Sequence, residues 1–261
     1  LKIAVCLKAV PDTTTKIHIA ADGKQIDLNG VRFITSPYDE FALEEAIRIK
    51  EKLGGEVIVY SLGDRTAADV LRDAFARGAD SAVHISYSVS NAAQILNPLS
   101  TAKVLAAALK NQGFDIVFCG QQGAGGDNSV VPAMLAHFLD LPQVSLLTKL
   151  EVELPGFKAE REIEGAHELV EGKFPVLFSA QKGLNEPRYP SIKGVMAARK
   201  KEIQVVAAES LGQDMNREQS KMQLVQLSLP PARPASKMIE GDASQQAATL
   251  AQLLRTEAKV I

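Results

Sequence analysis

Ligand-holding groups are densest in Gly120-Gln121-Gln122-Gly123-Ala124-Gly125-Gly126-Asp127-Asn128-Ser129, which follows an apolar strand-like run and opens a helix. Glycines let a backbone come close to a ligand, and the free amides of a helix N-terminus attract phosphate. The spacing is not G-x-G-x-x-G and the stretch holds no Walker lysine, so triphosphate chemistry is not expected. A nucleoside mono- or diphosphate fits; the alternative is a plain surface loop. Ser36-Pro37-Tyr38-Asp39 is a second helix start. Ser36 reads as the N-cap, Pro37 as the first helical residue and Asp39 as an acidic first-turn residue. Tyr38 stands where an aromatic can face a neighbouring ring. Ser61-Leu62-Gly63, after another strand-like run, forms a third rim.

Side-chain catalysis finds no support. A nucleophile needs a base within reach, and there is no G-x-S-x-G, no histidine near a candidate serine and no clustered carboxylate pair. His18, His84, His137 and His167 are scattered without ligand spacing. Cys6 and Cys119 lie in apolar segments and lack metal or redox spacing, which predicts buried thiols rather than a disulfide. Glu160-Arg161-Glu162-Ile163-Glu164 reads as the solvated face of a strand. A formal net charge of −2 gives nucleic acid or an anionic membrane no general attraction. No run approaches the roughly 18 apolar residues of a membrane span. Leu1 to Leu7 is too short for a signal peptide and reads as a first strand.

Gln181 to Lys200, QKGLNEPRYPSIKGVMAARK, has a composition that no regular helix or strand needs. Pro187 and Pro190 each remove a donor and hold the preceding residue extended. The expectation is a stiff loop exposing Leu184 and Tyr189 beside the cations Lys182, Arg188, Lys193, Arg199, Lys200 and Lys201, as a docking surface requires. Glu186 and Glu202 weaken a nucleic-acid reading of that cluster.

The elements that must position these groups alternate. Lys2–Ala9 reads as a strand buried on both faces, and Lys16–Leu28 as a loose hairpin about Asp22-Gly23. A helix from Ser36 buries Ala42, Ala46, Ile49 and Leu53 and stops at Gly54-Gly55. Glu56–Leu62 is a strand; Asp64 caps a helix through Phe75 that ends at Gly78. Ala82–Ser86 is a strand, Pro98–Leu109 a helix, Asp115–Cys119 a strand and Ser129–Leu139 a helix. Strands separated by helices point to parallel pairing with right-handed crossovers, hence a doubly wound, mostly parallel α/β sheet that binds ligands beyond its C-terminal strand ends. Val144–Leu154, Phe157–Ile163, Glu168–Glu171 and Pro175–Ala180 predict an antiparallel hairpin insert whose last strand returns to the main sheet. Ile203–Ala207 is strand-like, Glu209–Lys221 polar with a short helix, Gln223–Leu229 one more strand, and Pro230 to Pro234 an extended linker. Ser244–Leu254 is an amphipathic helix without a core of its own, for which a partner subunit is the natural cover. The division expected is residues 1–207 as the nucleotide-binding domain, with the docking loop 180–201, and 208–261 as a C-terminal arm.

Lys182 to Lys201, KGLNEPRYPSIKGVMAARKK, resembles the signature of the beta (small) subunit of electron-transfer flavoprotein. The resemblance runs nearly end to end, through SPYDEFALEEAIRIKEK (Ser36 to Lys52), ARGAD (Ala76 to Asp80), FLDLPQ (Phe138 to Gln143) and AEREIEG (Ala159 to Gly165). It implies a Rossmann-like fold of the adenine-nucleotide-binding type and a heterodimer with a larger alpha subunit that holds most of a redox-active FAD. It also implies an AMP buried in this subunit and a loop that docks acyl-CoA or other flavin dehydrogenases, as in fatty acid oxidation. Electrons would pass on to a quinone oxidoreductase of the membrane, and this subunit would act as an electron carrier, in the cytoplasm of a bacterium or the matrix of a mitochondrion.

By matching segments, the resemblance assigns the AMP site to Cys6, Ser36, Pro37, Tyr38, Asp39, Leu62 and the run Gly120 to Val131, which includes Val130. It assigns docking to Leu184, Asn185, Glu186, Pro187, Arg188 and Tyr189, with Leu184 entering the partner's pocket. Tyr38 and Thr13 match flavin-side positions, the latter often tyrosine. In many members the nucleotide loop reads close to D-G-D-T-A-Q-V-G-P; here Gly125 to Ala133 keeps the second aspartate as Asp127, and Val130 replaces an amide. Phosphate coordination then leans on backbone amides, Asn128 and Ser129. Two alternatives stand: a bifurcating, NADH-dependent relative with FAD in place of AMP, and a nucleotide-sensing protein of the universal-stress type.

Overall fold

The computed structural model describes residues 1–87, 97–212, 224–233 and 235–261. Its contacts divide the chain into Leu1–Leu227 and Ser228–Ile261.

In the first unit, β1 (Lys2–Cys6), β4 (Glu56–Leu62), β5 (Ser81–Ser86), β6 (Ile116–Gly120), β10 (Val176–Ala180) and β11 (Gln204–Ala207) run parallel. With β7 (Gln143–Glu153), β8 (Gly156–Ile163) and β9 (Ala166–Lys173) they complete a nine-stranded sheet, ordered β11-β5-β4-β1-β6-β10-β7-β8-β9. β7 is parallel to β10 and antiparallel to β8, so the expected hairpin and returning strand are both present. Because successive side chains of a strand face opposite ways, β1 sends Ile3 and Val5 to one core and Ala4 and Cys6 to the other. Helices α1 (Pro37–Leu53) and α2 (Ala67–Arg77) pack on the first face; α3 (Pro98–Leu109) and α4 (Val131–Leu139) pack on the second. From β1 the chain moves outward through β4 to β5, then returns to β6 on the other side of β1. That reversal opens a crevice at the carboxyl ends of β1 and β6.

Several expectations change. The strand read over Lys2–Ala9 ends at Cys6, and Ala9–Pro11 forms a separate strand, β2, paired with β3 (Phe33–Thr35). The break falls where the Lys8 amide donates to the Asp39 carboxylate instead of continuing the ladder. The hairpin over Lys16–Leu28 is reduced to one bridge, Ile19 with Ile26. Asp64 supports the start of α2 through the Thr66 amide and hydroxyl, while Thr66 itself holds the cap position and the helix runs to Arg77. α4 begins at Val131 rather than Ser129, because Asp127 and Ser129 sit at positive φ (45° and 53°) and cannot be helical. A short helix, α5 (Ile192–Ala198), occupies part of the segment read as wholly irregular; Ser191 caps it by accepting from the Gly194 amide.

Ala208–Leu211 forms a 3-10 turn. Residues 213–221 of the expected polar helix, Gln223 of the last expected strand, and Pro234 of the linker lie outside the described residues. Residues 224–229 form no strand. In the second unit α6 (Ala243–Leu253) is closed by a capping box in which Asp242 and Gln245 exchange bonds, and none of its residues is buried. A wider helical turn follows at Leu254–Ala258. Among the described residues no helix is long and apolar enough to cross a membrane.

Candidate functional site

At the reversal of strand order lies a cleft of ≈ 220 Å³. Its floor is Cys6, Leu7 and Cys119, at the ends of β1 and β6; Leu62, Pro98, Thr101 and Leu105 form an apolar wall; Gly120 to Gly123 and Gly126 to Pro132 close the remaining side. Cys6, Asp39, Leu62 and most of the run Gly120 to Val131 are therefore brought together from sequence-distant elements. Ser36, Pro37, Tyr38, Ala124 and Gly125 lie outside the wall itself.

Asp39 organises the site. It is 6% exposed, and its Oδ2 accepts from the Lys8 amide (2.7 Å) while its Oδ1 accepts from the Gly120 amide (2.9 Å). The start of α1 is thereby tied to the ends of both strands that flank the crevice. Burial pushes the Asp39 carboxyl up to about 7, against the two amide donors that favour its ionised form. Ser36 and Asp39 hold the cap and first-turn positions expected of them, and their side chains serve the site as well. Ser36 occupies the cap position but makes no side-chain cap bond, since it is buried and its Oγ accepts from the Ala124 amide (3.3 Å), steadying the glycine loop.

The loop is folded by its own polar groups. The Gly126 and Asp127 amides donate to the Gly123 carbonyl, Gln122 Nε2 donates to Asp127 Oδ1 (3.1 Å), and Ser129 Oγ donates to Gln122 Oε1 (2.9 Å). Gln121 faces the neighbouring strands, accepting from Ser179 Oγ (2.6 Å) and the Leu146 amide (3.1 Å). Gly120 must be glycine: a methyl there would lie 2.7 Å from the Asp39 nitrogen and from the Tyr38 carbonyl carbon. Both cysteines are free and buried. A hydrogen bond to Cys6, together with burial, pushes the Cys119 thiol well up, so Cys119 stays protonated.

Sequence reasoning missed Leu7, Lys8, Pro98, Thr101, Leu105, Cys119 and Pro132 of the wall. A lysine directly after the first strand was the available signal for Lys8. The α3 residues had none, because only the sheet order places that helix opposite Leu62.

The segment read as a docking loop is built differently from expectation. Leu184 is only partly exposed and packs against the core beneath α1 and α2, whereas Tyr189 is 92% exposed. Exposed apolar surface continues on α5 at Ile192 (84%) and Met196 (64%). Arg188 is no free cation: its guanidinium contacts both oxygens of Glu44 (2.8 and 3.0 Å) and both of Glu51 (2.6 and 2.9 Å). These carboxylates hold Arg188 above its usual range, and its hydrogen bond holds Glu51 below the ordinary glutamate value. Asn185 donates to the Phe41 carbonyl and to Glu45, whose carboxyl burial raises. Lys201 Nζ donates to the Ala79 and Asp80 carbonyls. Pro187 is half-buried, and Glu186 is exposed. Tyr38 is half-buried and Thr13 exposed. Among the described residues no group of acidic, histidine or cysteine side chains could hold a metal ion.

The electron transfer flavoprotein domain family matches residues 24–211. The chain is 38% identical over 261 residues to the electron transfer flavoprotein subunit beta of Bacillus subtilis (strain 168), covering 100% of both. It is 39% identical over 260 residues to the subunit of that name from Thermoanaerobacterium thermosaccharolyticum, covering 98% of each. Against the Homo sapiens subunit the identity is 36% over 241 residues, 92% of this chain and 93% of the relative.

Proposed function

The chain belongs to the electron transfer flavoprotein beta-subunit family, and on that premise we propose that it holds AMP in the cleft at the β1/β6 reversal and joins an alpha subunit that binds most of an FAD. The bound FAD supplies the redox chemistry, accepting and releasing electrons. This chain's residues bind, orient and dock.

The observation that carries the AMP reading is the cleft itself. An apolar slot between Leu62 and α3, floored by two buried cysteines, suits a purine ring. The glycine loop beside it, opening α4, suits a phosphate. Leu62, Thr101 and Leu105 would flank the base, while the backbone of Gly123 and of 126–131 would hold the phosphate, with Asn128 and Ser129 adding side-chain donors. Asp39 fixes the spacing of β1, β6 and α1 and so keeps the slot open. Tyr38, in the first turn of α1, is the residue to meet the flavin side.

Docking of flavin dehydrogenases, acyl-CoA dehydrogenases among them, is assigned to residues 184–189 and extended here to the exposed apolar face of α5. The exposure of Tyr189, Ile192 and Met196 supports this, as does the bracing of the loop on α1 through Arg188 and Asn185. The tail helix α6, with no buried residue, is proposed to pack on the alpha subunit.

The test is mass spectrometry of nucleotides released from the full chain co-expressed and purified with its alpha subunit. One AMP and one FAD per dimer is the expected result. Two FAD with reduction by NADH would replace this reading by the bifurcating one, and a colourless chain that ignores alpha would overturn both. Removing the residues beyond Pro230 should abolish the dimer; a sensor domain of the universal-stress type would be left intact.

A further inference from the structure

We infer that Lys8 reads the phosphate in this cleft, its ammonium acting as the counter-charge for a phosphomonoester held over the loop that runs from Gly120 into α4. The inference rests on the nucleotide reading above and names the group that makes the site selective for a phosphorylated ligand.

The backbone of Lys8 is fixed from both sides. Its amide donates to Asp39 Oδ2 (2.7 Å), and its carbonyl accepts from the Ser36 amide (2.9 Å). The direction in which the side chain leaves the link between β1 and β2 is therefore set by the same contacts that hold the strand ends together. From there it lies along the glycine loop. A methyl built on Gly123 would stand 2.6 Å from Lys8 Cδ and 2.8 Å from Nζ, and one on Gly126 would stand 3.7 Å from Nζ. Glycine at position 123 thus leaves the space that the lysine crosses, and the ammonium ends at the rim where the loop turns towards α4.

Lys8 is exposed, and its ammonium makes no hydrogen bond or salt bridge with a described residue; its charge reaches the Asp39 carboxyl, whose ionised form it favours. The facing carboxylates are otherwise engaged: Asp39 is bound by two backbone amides, and Asp127 accepts from Gln122. The amides of Asn128, Ser129 and Val130 donate to no described backbone group. A cation that makes no hydrogen bond, lining the same cleft as a row of free amides, is matched by an anion that carries several acceptors. A terminal phosphoryl group is such an anion. Lysine, a compact charge with three rotatable donors, suits a phosphate whose orientation the amides already fix. The loop holds no Walker lysine of its own, and the link that follows β1 supplies the charge in its place.

The test uses the full chain in its dimer with the alpha subunit, stripped of nucleotide and titrated calorimetrically with AMP and with adenosine. Lys8→Met should weaken AMP binding about ten- to a hundred-fold, the value of one lost charge-assisted contact, and leave adenosine unchanged. Lys8→Arg should recover most of the AMP affinity. AMP binding should also weaken with added salt more steeply in wild type than in Lys8→Met. Unchanged AMP affinity in Lys8→Met would overturn the inference while leaving the nucleotide reading standing. An equal loss for AMP and adenosine would make Lys8 a structural residue and overturn it as well. If the wild-type dimer binds neither ligand, the nucleotide reading itself fails and takes this inference with it.

Discussion

Replacing Arg188 by methionine keeps an unbranched stem and removes the guanidinium that joins the loop to α1. Glu44, whose side chain is only 6% exposed, loses a two-pronged charge-assisted partner, while Glu51, at 54%, returns to water. A net bond to a charged group is worth about 1.5–3 kcal/mol, and an exposed ion pair about 0.2–1 kcal/mol. Arg188 is itself a third exposed, and the backbone amide of residue 188 still donates to Glu44 (3.1 Å). Both facts place the total at the low end, about 2 kcal/mol. Urea unfolding of the full chain should show a lower midpoint at unchanged slope, and amide hydrogen exchange should accelerate over residues 184–190. Glu44→Gln in a double-mutant cycle should return a coupling of about 1–2 kcal/mol. The pH dependence has a definite sign. Arg188 depresses the Glu51 carboxyl, so that contribution is present above the ordinary glutamate range, is lost as pH falls through the lowered value, and vanishes in Arg188→Met. A stability change within 0.5 kcal/mol with zero coupling would refute the bracing role of this network.

Four further perturbations test the site and the loop. With Asp39 raised to about 7, the folded chain keeps a proton that the unfolded chain has released, so stability should fall as pH rises from about 4 to about 7. Asp39→Asn should lack that slope in pH-resolved urea unfolding, and parallel profiles for the two proteins would count against the shift. Gly120→Ala drives a methyl into the start of α1 and should cost about 1–3 kcal/mol, with loss of nucleotide from the purified protein; a melt like wild type would show that α1 can move aside. Leu184→Ala should slow electron uptake from a flavin dehydrogenase about tenfold at unchanged FAD content and lower stability by roughly 1 kcal/mol, because the leucine is partly buried. Tyr189→Ala, at a 92% exposed position, should leave stability within about 0.5 kcal/mol. Equal electron-transfer rates for Leu184→Ala and wild type would remove Leu184 from docking.

Much of what depends on neighbours in the chain was legible in the sequence. Pro98 to Leu109 reads as a helix and is one to the residue, and the structure closes it locally, with Asn97 accepting from the Ser100 amide. The parallel pairing, the hairpin insert and the buried thiols follow from runs of apolar residues and their spacing. The family signature stands in the order of residues from Lys182 to Lys201 and requires no coordinates. Whatever depends on the crossovers was not legible. Nothing near Lys8 indicates that its amide belongs to Asp39, which ends a strand that the apolar pattern would continue. Nothing in the loop indicates that Arg188 is paired to α1, or that Leu184 turns inward while Tyr189 stays in water. The start of α4 slipped because Asp127 and Ser129 take left-handed backbone angles inside a loop closed by Gln122. Helices and strands are chosen by contacts a few residues apart, which the sequence spells out in order. The site is chosen by where the strand order reverses, and only the folded sheet brings β1, β6, α1 and α3 to that point.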